Sequence, residues 1–417
     1  MRDFPGTPVR GADTSDPRRE LLLDLMRTGL ESVDGRRCVR AALTAARERS
    51  AASVWVAAIG KAAAAMALGA HDALGAAIAR TLIITRESHG LPELSARCTP
   101  EVHLSAHPVP DERSLAAGER LLKWVAELPA AVQPLFLISG GSSSLVEALQ
   151  ADTTLRELQE LTRAALAGGL AIGELNARRT AISRIKGGRL AALLAGRAAR
   201  ALFVSDVPDD DPRVIGSGLM GPAITGADHI AREVVACVDD AVRAVAAAAA
   251  ARGLEAHGTP QRFSGDAARL AARFTHELQL SPAQLRVWGG ESTVQLPPHP
   301  GRGGRNQHLA LAAARLIAGH EDLLLLAAGT DGSDGLTEDA GALVDGDTCA
   351  RLALAGLDAD DCLARADSAR ALAASGDLVH TGPTGTNVGD LIIALKLSAR
   401  DASGLAQAAG GPRARVL

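Results

Sequence analysis

Several residues able to handle charge follow directly on short apolar runs. Gly60 and Lys61 come after SVWVAAI, at the start of a helical pattern. A cation there opposes the helix dipole, so Lys61 is better explained with an anion beside it; a solvated lysine is the plain alternative. The pair is not a Walker A loop, because Trp55 stands where the first glycine should fall. After LFLI come Ser139, Gly140, Gly141, Ser142, Ser143 and Ser144. Glycines let backbone amides approach an anion closely and hydroxyls add donors, although a turn with a serine cap has the same composition.

Residues 176–190 hold Arg178, Arg179, Arg184, Lys186 and Arg189 around Gly187 and Gly188. That density fits a carboxylate or phosphate, arginine offering bidentate contacts and lysine a mobile charge, while several of these charges belong to a solvated helix face. Two strand patterns run into aspartates, RALFVS into Asp206 and LLLLAAGT into Asp331 and Asp334. Magnesium bridged to phosphates needs one or two such carboxylates, and surface turn chemistry is the competing account, favoured for Asp209, Asp210 and Asp211. The DGSDG loop lacks the spacing of an EF-hand. Two more glycine loops, with Gly304, Arg305 and Asn306 in one and Thr384, Thr386 and Asn387 in the other, can present amides and polar side chains. A guanidinium such as Arg305 beside glycines can neutralise a transferring phosphoryl group or hold a carboxylate.

The elements that must carry these residues read as α/β. In the first 250 residues, short runs apolar throughout alternate with Ala- and Leu-rich helices, the pattern of a parallel sheet covered on both faces. With 417 residues, two domains are the expectation. The expected division is a mobile lead-in over 1–16, a larger Rossmann-like domain over 17–255, a connector over 256–285 and a smaller α/β domain over 286–417. A net charge of −4 with 22% charged residues fits neither a nucleic-acid binder nor a disordered chain. Five scattered cysteines without a C-x-x-C pair indicate no disulfide framework or zinc site. With no leader-like amino terminus and no apolar stretch of about 18 residues, the expectation is a cytoplasmic protein without membrane or nucleic-acid partners.

The ordered segments IGKAAAAMA, HPVPDE, LISGGSSSL, RIKGGRLA, VSDVPDDDP, GGEST, GGRNQ, GTDGSDG and GPTGTN resemble the glycerate 2-kinase family, whose carboxyl-terminal part is called MOFRL. The resemblance spans residues 20 to 395. It implies a Rossmann-like domain and a MOFRL domain with the active site in the cleft between them, ATP and magnesium as cofactors, glycerate as substrate, and a monomer or homodimer. Lys61 and Arg305 match the family's lysine and arginine thought to act at the phosphoryl centre, with Asp206 as base or metal ligand. Three positions depart from the pattern: His308 where Glu is common, Leu336 where Pro is usual, and SGLMGP where SGPT is usual. Two rivals compete with the kinase. A hydroxypyruvate reductase would need a nicotinamide site, yet no strand pattern is followed by G-x-G-x-x-G and an acidic residue; a non-catalytic metabolite binder would account for the departures.

Overall fold

The computed structural model describes residues 10–11, 16–45, 53–86, 92–166, 172–398 and 400–401. The chain forms two compact units, one of residues 33–237 with 385–388, the other of 1–32, 238–384 and 389–417.

The first unit is built on six strands: β1 (Val54–Ile59), β2 (Ile78–Arg86), β3 (Glu101–Ser105), β4 (Gln133–Ser139), β5 (Ala199–Val204) and β6 (Ile230–Ala236). They pair in parallel in the order β3-β2-β1-β4-β5-β6, a Rossmann arrangement whose strand order reverses between β1 and β4. The central strands are apolar throughout because both faces are covered: six of the seven residues of β4 are buried. Trp124, on the helix Glu112–Ala126, packs between Trp55 and Phe136 with ring centroids 5.7 Å from each. That helix starts where Asp111 accepts from the Arg113 amide and Ser114 reaches back to the Asp111 amide, a capping box read from D-E-R-S.

The second unit holds β7 (Ala256–Gly258), β8 (Phe263–Asp266), β9 (Leu285–Thr293), β10 (Leu323–Gly329), β11 (Gly341–Asp345), β12 (Leu378–His380) and β13 (Asp390–Lys396). The order is β12-β11-β10-β13-β9-β7; these pairs are antiparallel except that β7, and also β8, pair with β9 in parallel. A two-residue strand, Arg10–Gly11, adds to β12. Side chains alternate across a strand. Leu323, Leu325 and Ala327 accordingly join one core with the helices Ala267–Leu280 and Arg305–Leu316. The helices Pro17–Ser32 and Val238–Ala251 serve the opposite face, where a Cβ on Gly29 would lie 2.8 Å from Val245 and 3.2 Å from Leu391.

This division departs from the one expected. Pro17–Ser32 comes early in sequence but buries Leu22, Leu25, Met26 and Leu30 in the second unit. Residues 256–285 are not a connector: they supply β7, β8 and a helix capped by Asp266, which accepts from the Arg269 amide. The two units are consequently of nearly the same length, not a larger and a smaller one. Of the expected lead-in, Arg10, Gly11 and Asp16 are described and the rest lies outside the described residues.

Arg19 ties the first helix down. Its guanidinium donates to Asp345 at 2.5 Å, to Asp377 at 2.9 Å and to the Leu343 carbonyl at 2.9 Å, and Arg19 and Asp377 are both buried. Removing one member of a buried ion network strands the other's charge, so Arg19→Ala is expected to cost about 3 kcal/mol, read as a lower urea midpoint for the full chain. An unchanged midpoint would show that Arg351, which also donates to Asp377 at 2.7 Å, suffices alone.

Candidate functional site

In the first unit the loops leaving β1 and β4 are joined where the strand order reverses. The Lys61 amide donates to the Gly140 carbonyl at 2.9 Å, and the Ala62 amide donates to Ser139 Oγ at 3.0 Å. Gly60 adopts φ of 129°, and a Cβ there would lie 2.2 Å from Ser139 Oγ. A Cβ on Gly140 would lie 2.0 Å from both Asp206 Oδ2 and Asn387 Nδ2, which meet in a 3.2 Å hydrogen bond donated by Asn387. Gly141 has φ of 85°, and a Cβ there would lie 3.1 Å from Cγ of Lys61 and 3.2 Å from the His107 ring. The structure thus gathers Lys61, His107, Ser139, Gly140, Gly141, Asp206 and Asn387 at the carboxyl ends of three neighbouring strands, where ligands of such sheets bind. Gly385 continues this corner by accepting from the Gly35 amide at 3.1 Å.

Ser142 and Ser143 open the short helix Ser142–Leu145. The buried Ser142 Oγ has no hydrogen-bond partner among the described residues, while Ser143 Oγ meets Ser217 Oγ at 2.9 Å, and Ser217 donates to Asn176 Oδ1 at 2.9 Å. Lys186 underlies this loop. Its ammonium is fully buried and donates to Glu147 at 2.5 Å and to the Ser143 carbonyl at 2.6 Å. Burial pushes the Lys186 ammonium down, with Glu147 opposing the shift. The Gly187 and Gly188 amides donate to the Ser217 and Gly218 carbonyls, and a Cβ on Gly188 would lie 1.9 Å from the Pro222 carbonyl oxygen. Expected as binders, Lys186, Gly187 and Gly188 are instead occupied in holding two loops together.

In the second unit Arg305 opens the helix Arg305–Leu316. It is not presented as a bare cation. Its Nε and Nη2 donate to Asp390 at 2.8 and 3.0 Å, and its Nη1 donates to Glu291 at 2.5 Å. Burial disfavours its charge, but Asp390 and Glu291 outweigh that and hold the guanidinium well above its usual range. Three of its five N–H donors are thereby used. Asp390, fully buried, also accepts from Asn306 Nδ2 at 2.9 Å and the Ser292 amide at 3.3 Å. Sequence pattern alone did not single out Asp390 or Glu291: Asp390 begins the apolar strand DLIIALK with no motif around it, and only the polar end of GGEST marked Glu291.

The carboxylates expected to hold a metal are Asp206, Asp331 and Asp334. Asp206 is in the first unit and Asp331 and Asp334 in the second. None of them belongs to a group of three metal-type ligands within reach of one another among the described residues. Asp331 accepts from Ser333, at its amide and its hydroxyl. Asp334 accepts from the Asn306 and Gln307 amides at 3.1 and 2.8 Å, capping a helix whose own preceding residue, Gly304, has no side chain to do so. Burial first, with the charge of Asp390 adding, pushes the Asp334 carboxyl up to about 7 against those two amides and Arg305. Both Asp334 oxygens are taken by these helix-start amides, whereas the half-buried Asp206 beside the glycine loop suits a magnesium ligand. Thr384 is occupied as a donor to the Thr330 carbonyl at 2.5 Å.

Comparison with known proteins agrees with this geometry. Residues 21–277 match the family model described as a domain of unknown function (DUF4147), and residues 284–390 match the MOFRL family. D-glycerate 2-kinase of Thermotoga maritima is 34% identical over 416 residues, covering 90% of this chain and 98% of the relative. The chain belongs to the glycerate 2-kinase family. A crystal structure of glycerate kinase from Thermotoga maritima superposes with a TM-score of 0.78 at 33% identity, covering 91% of this chain and 99% of that one. A relative from Agrobacterium vitis with 34% identity, covering 80% of this chain and 96% of its own, carries the name putative hydroxypyruvate reductase.

Of the departures from the family pattern, SGLMGP touches the serine loop through Ser217, and His308 lies on the helix that Arg305 opens. Leu219 and Met220 of SGLMGP are fully buried in the core of the first unit, and Leu336 is exposed. His308, largely buried with its pKa lowered by burial, has Nδ1 without a partner.

Two of the buried charges can be tested by their cost. Lys186→Met removes the cation hydrogen-bonded to Glu147, leaving only the charge of Arg179 near it, and is expected to cost about 3 kcal/mol in urea unfolding. Asp334 carries a folded pKa raised to about 7 from 3.8, so the stability its proton provides is complete below about pH 4 and lost as pH rises to 7. The difference in unfolding free energy between wild type and Asp334→Asn should therefore slope by one proton between those limits; parallel curves would show an ionised cap.

Proposed function

We propose that this protein transfers the γ-phosphoryl group of ATP to the 2-hydroxyl of D-glycerate, giving 2-phosphoglycerate and ADP. The observation that carries the reading is the joined pair of loops at the reversal of strand order, with Lys61, the glycine and serine residues 139–143 and Asp206 at one corner. Such a corner suits an anionic substrate: turn bonds from the amides of Gly141, Ser142 and Ser143 are absent among the described residues, and the loop ends at a helix start. The names of the curated relatives support the substrate. A cytoplasmic setting accords with the five cysteines, none of them in a disulfide, and no described helix is long and apolar enough to cross a membrane.

In this mechanism the 2-hydroxyl oxygen forms its bond to the γ-phosphorus as the bond to the bridging oxygen of ADP breaks, and the hydroxyl proton passes to solvent directly or by way of Asp206. Phosphoryl transfer asks for alignment and for neutralisation of charge on the equatorial oxygens more than for covalent help. Lys61 supplies a mobile charge, and Arg305 supplies the two N–H donors that Asp390 and Glu291 leave. Asp206, steadied by Asn387, would hold magnesium, which supplies charge neutralisation on the phosphates. Thr386 and Asn387 border the same corner of the first unit.

A reductase reading has the name of one relative behind it. Against it, β1 runs into Gly60, Lys61 and Ala62, with no G-x-G-x-x-G to receive a dinucleotide pyrophosphate. Purified protein with D-glycerate, ATP and magnesium is expected to form 2-phosphoglycerate, and Lys61→Ala and Arg305→Ala should each lower kcat by about 100-fold or more, the first with an unchanged melting temperature and the second with a lower one because it leaves buried Asp390 unpaired. Oxidation of NADH or NADPH by hydroxypyruvate, without phosphorylated product, would overturn the proposal in favour of the reductase.

A further inference from the structure

Of the five cations in residues 176–190, four have partners that explain them. Arg178 pairs with Glu174 at 2.6 Å and Arg184 with Glu119 at 2.6 Å, both at the surface. Lys186 pairs with Glu147, and Arg189 donates to the Thr180 carbonyl. Arg179 is the exception. It is only 8% exposed, yet its single hydrogen bond among the described residues runs 3.4 Å from Nη2 to Thr162 Oγ1, and its buried Nε has no partner.

The carboxylate whose charge reaches Arg179 is Glu147. That carboxylate is already taken, accepting from Lys186 Nζ at 2.5 Å, Ser183 Oγ at 2.5 Å and the Ala148 amide at 3.0 Å. Two buried basic groups thus share one buried anion, which Lys186 already holds, so Arg179 has no carboxylate of its own among the described residues. Arginine cannot shed its proton to escape, and an unpaired buried ion is among the most unfavourable features a fold can carry. Arg179 also sits one turn beyond Asn176 on the helix Ile172–Ala181, and residues three apart share a helix face. Asn176 is the residue that reaches Ser217 and, through it, Ser143 of the serine loop.

We propose that Arg179 is the receptor for the substrate's carboxylate, a subsite beside the serine loop that takes a small 2-hydroxy acid. The guanidinium would bind it through two N–H donors, gaining the carboxylate it lacks and distinguishing acids from neutral alcohols of the same shape. The identity of the acid rests on the kinase reading; the carboxylate class rests on Arg179 having no carboxylate of its own among the described residues.

The test compares D-glycerate with its uncharged amide, glyceramide, as phosphoryl acceptors for the full-length wild type, Arg179→Gln and Arg179→Lys. The ratio of the two kcat/KM values within one protein cancels any loss of folded enzyme. The wild type is expected to favour glycerate, Arg179→Gln to lose about 30-fold of that preference with KM for ATP unchanged, and Arg179→Lys to keep part of it. A preference that survives in Arg179→Gln overturns the proposal, as does a loss matched by an equal rise in KM for ATP. If Arg179→Gln does not fold, Arg179→Lys decides by the same ratio. Should the wild type phosphorylate neither acceptor, the kinase reading fails separately, and calorimetric titration with D-glycerate settles the subsite. About 30-fold weaker binding to the variant supports it, and equal or absent binding to both proteins overturns it.

Discussion

Close backbone approach at the ends of β1 and β4 is the constraint on which the first unit's functional corner depends. Ser139 must receive the Ala62 amide while Gly140 receives the Lys61 amide, and this leaves no room for a Cβ at residue 60. The same crowding at residue 140 is what lets Asp206 and Asn387 meet against the loop. Side chains at either glycine would part the loops, and Lys61 would lose the fixed backbone from which it projects. A parallel sheet with reversed strand order supplies the crevice; two glycines make it narrow enough to present amides and one lysine together.

Beneath that corner, buried charge does the positioning. Lys186 and Glu147 form a fully buried pair whose remaining bonds go to Ser143, Ser183 and the Ala148 amide, so the serine loop is braced from below. Such a pair contributes little net stability compared with apolar packing, because desolvation offsets the attraction. Its value is directional: it fixes a loop whose own four-residue helix is too short to hold itself. Asp390 has the same relation to Arg305, aligning one edge of the guanidinium and leaving the other.

The fold was legible in sequence where local pattern and tertiary role coincide. Runs such as LFLIS and LLLLAAG read as buried strands and are buried strands; the runs of the first 250 residues pointed to the parallel sheet, whereas LLLLAAG lies in an antiparallel one. The division into units was not legible, since contiguity in sequence is a poor guide when Pro17–Ser32 crosses back to a sheet formed much later in the chain. Among site residues, glycine and serine loops could be recognised by composition, because the property that matters is local. Charged residues could not. Lys186 and Arg179 both lie in one basic run, yet one is satisfied by Glu147 and the other is left short, a distinction set by partners on other elements.

The two units also differ in the sign of the charge they leave unbalanced, and this bears on what each can do. The first gathers Lys61, Lys186 and Arg179 around serine and glycine loops with Glu147 and Asp206 as the nearby carboxylates, a surplus suited to anions. The second surrounds Arg305 with Glu291, Asp390 and Asp334, a deficit that would repel a phosphate if all were ionised. Burial raises the Asp334 carboxyl, which lowers that deficit, and Asp390 spends its charge on Arg305 and Asn306. What remains for a ligand is a guanidinium with two N–H donors and little net charge, which favours orientation over attraction. The first unit's cluster thus suits attraction of an anion and the surroundings of Arg305 suit orientation of one, properties written in long-range partners and not in any single motif.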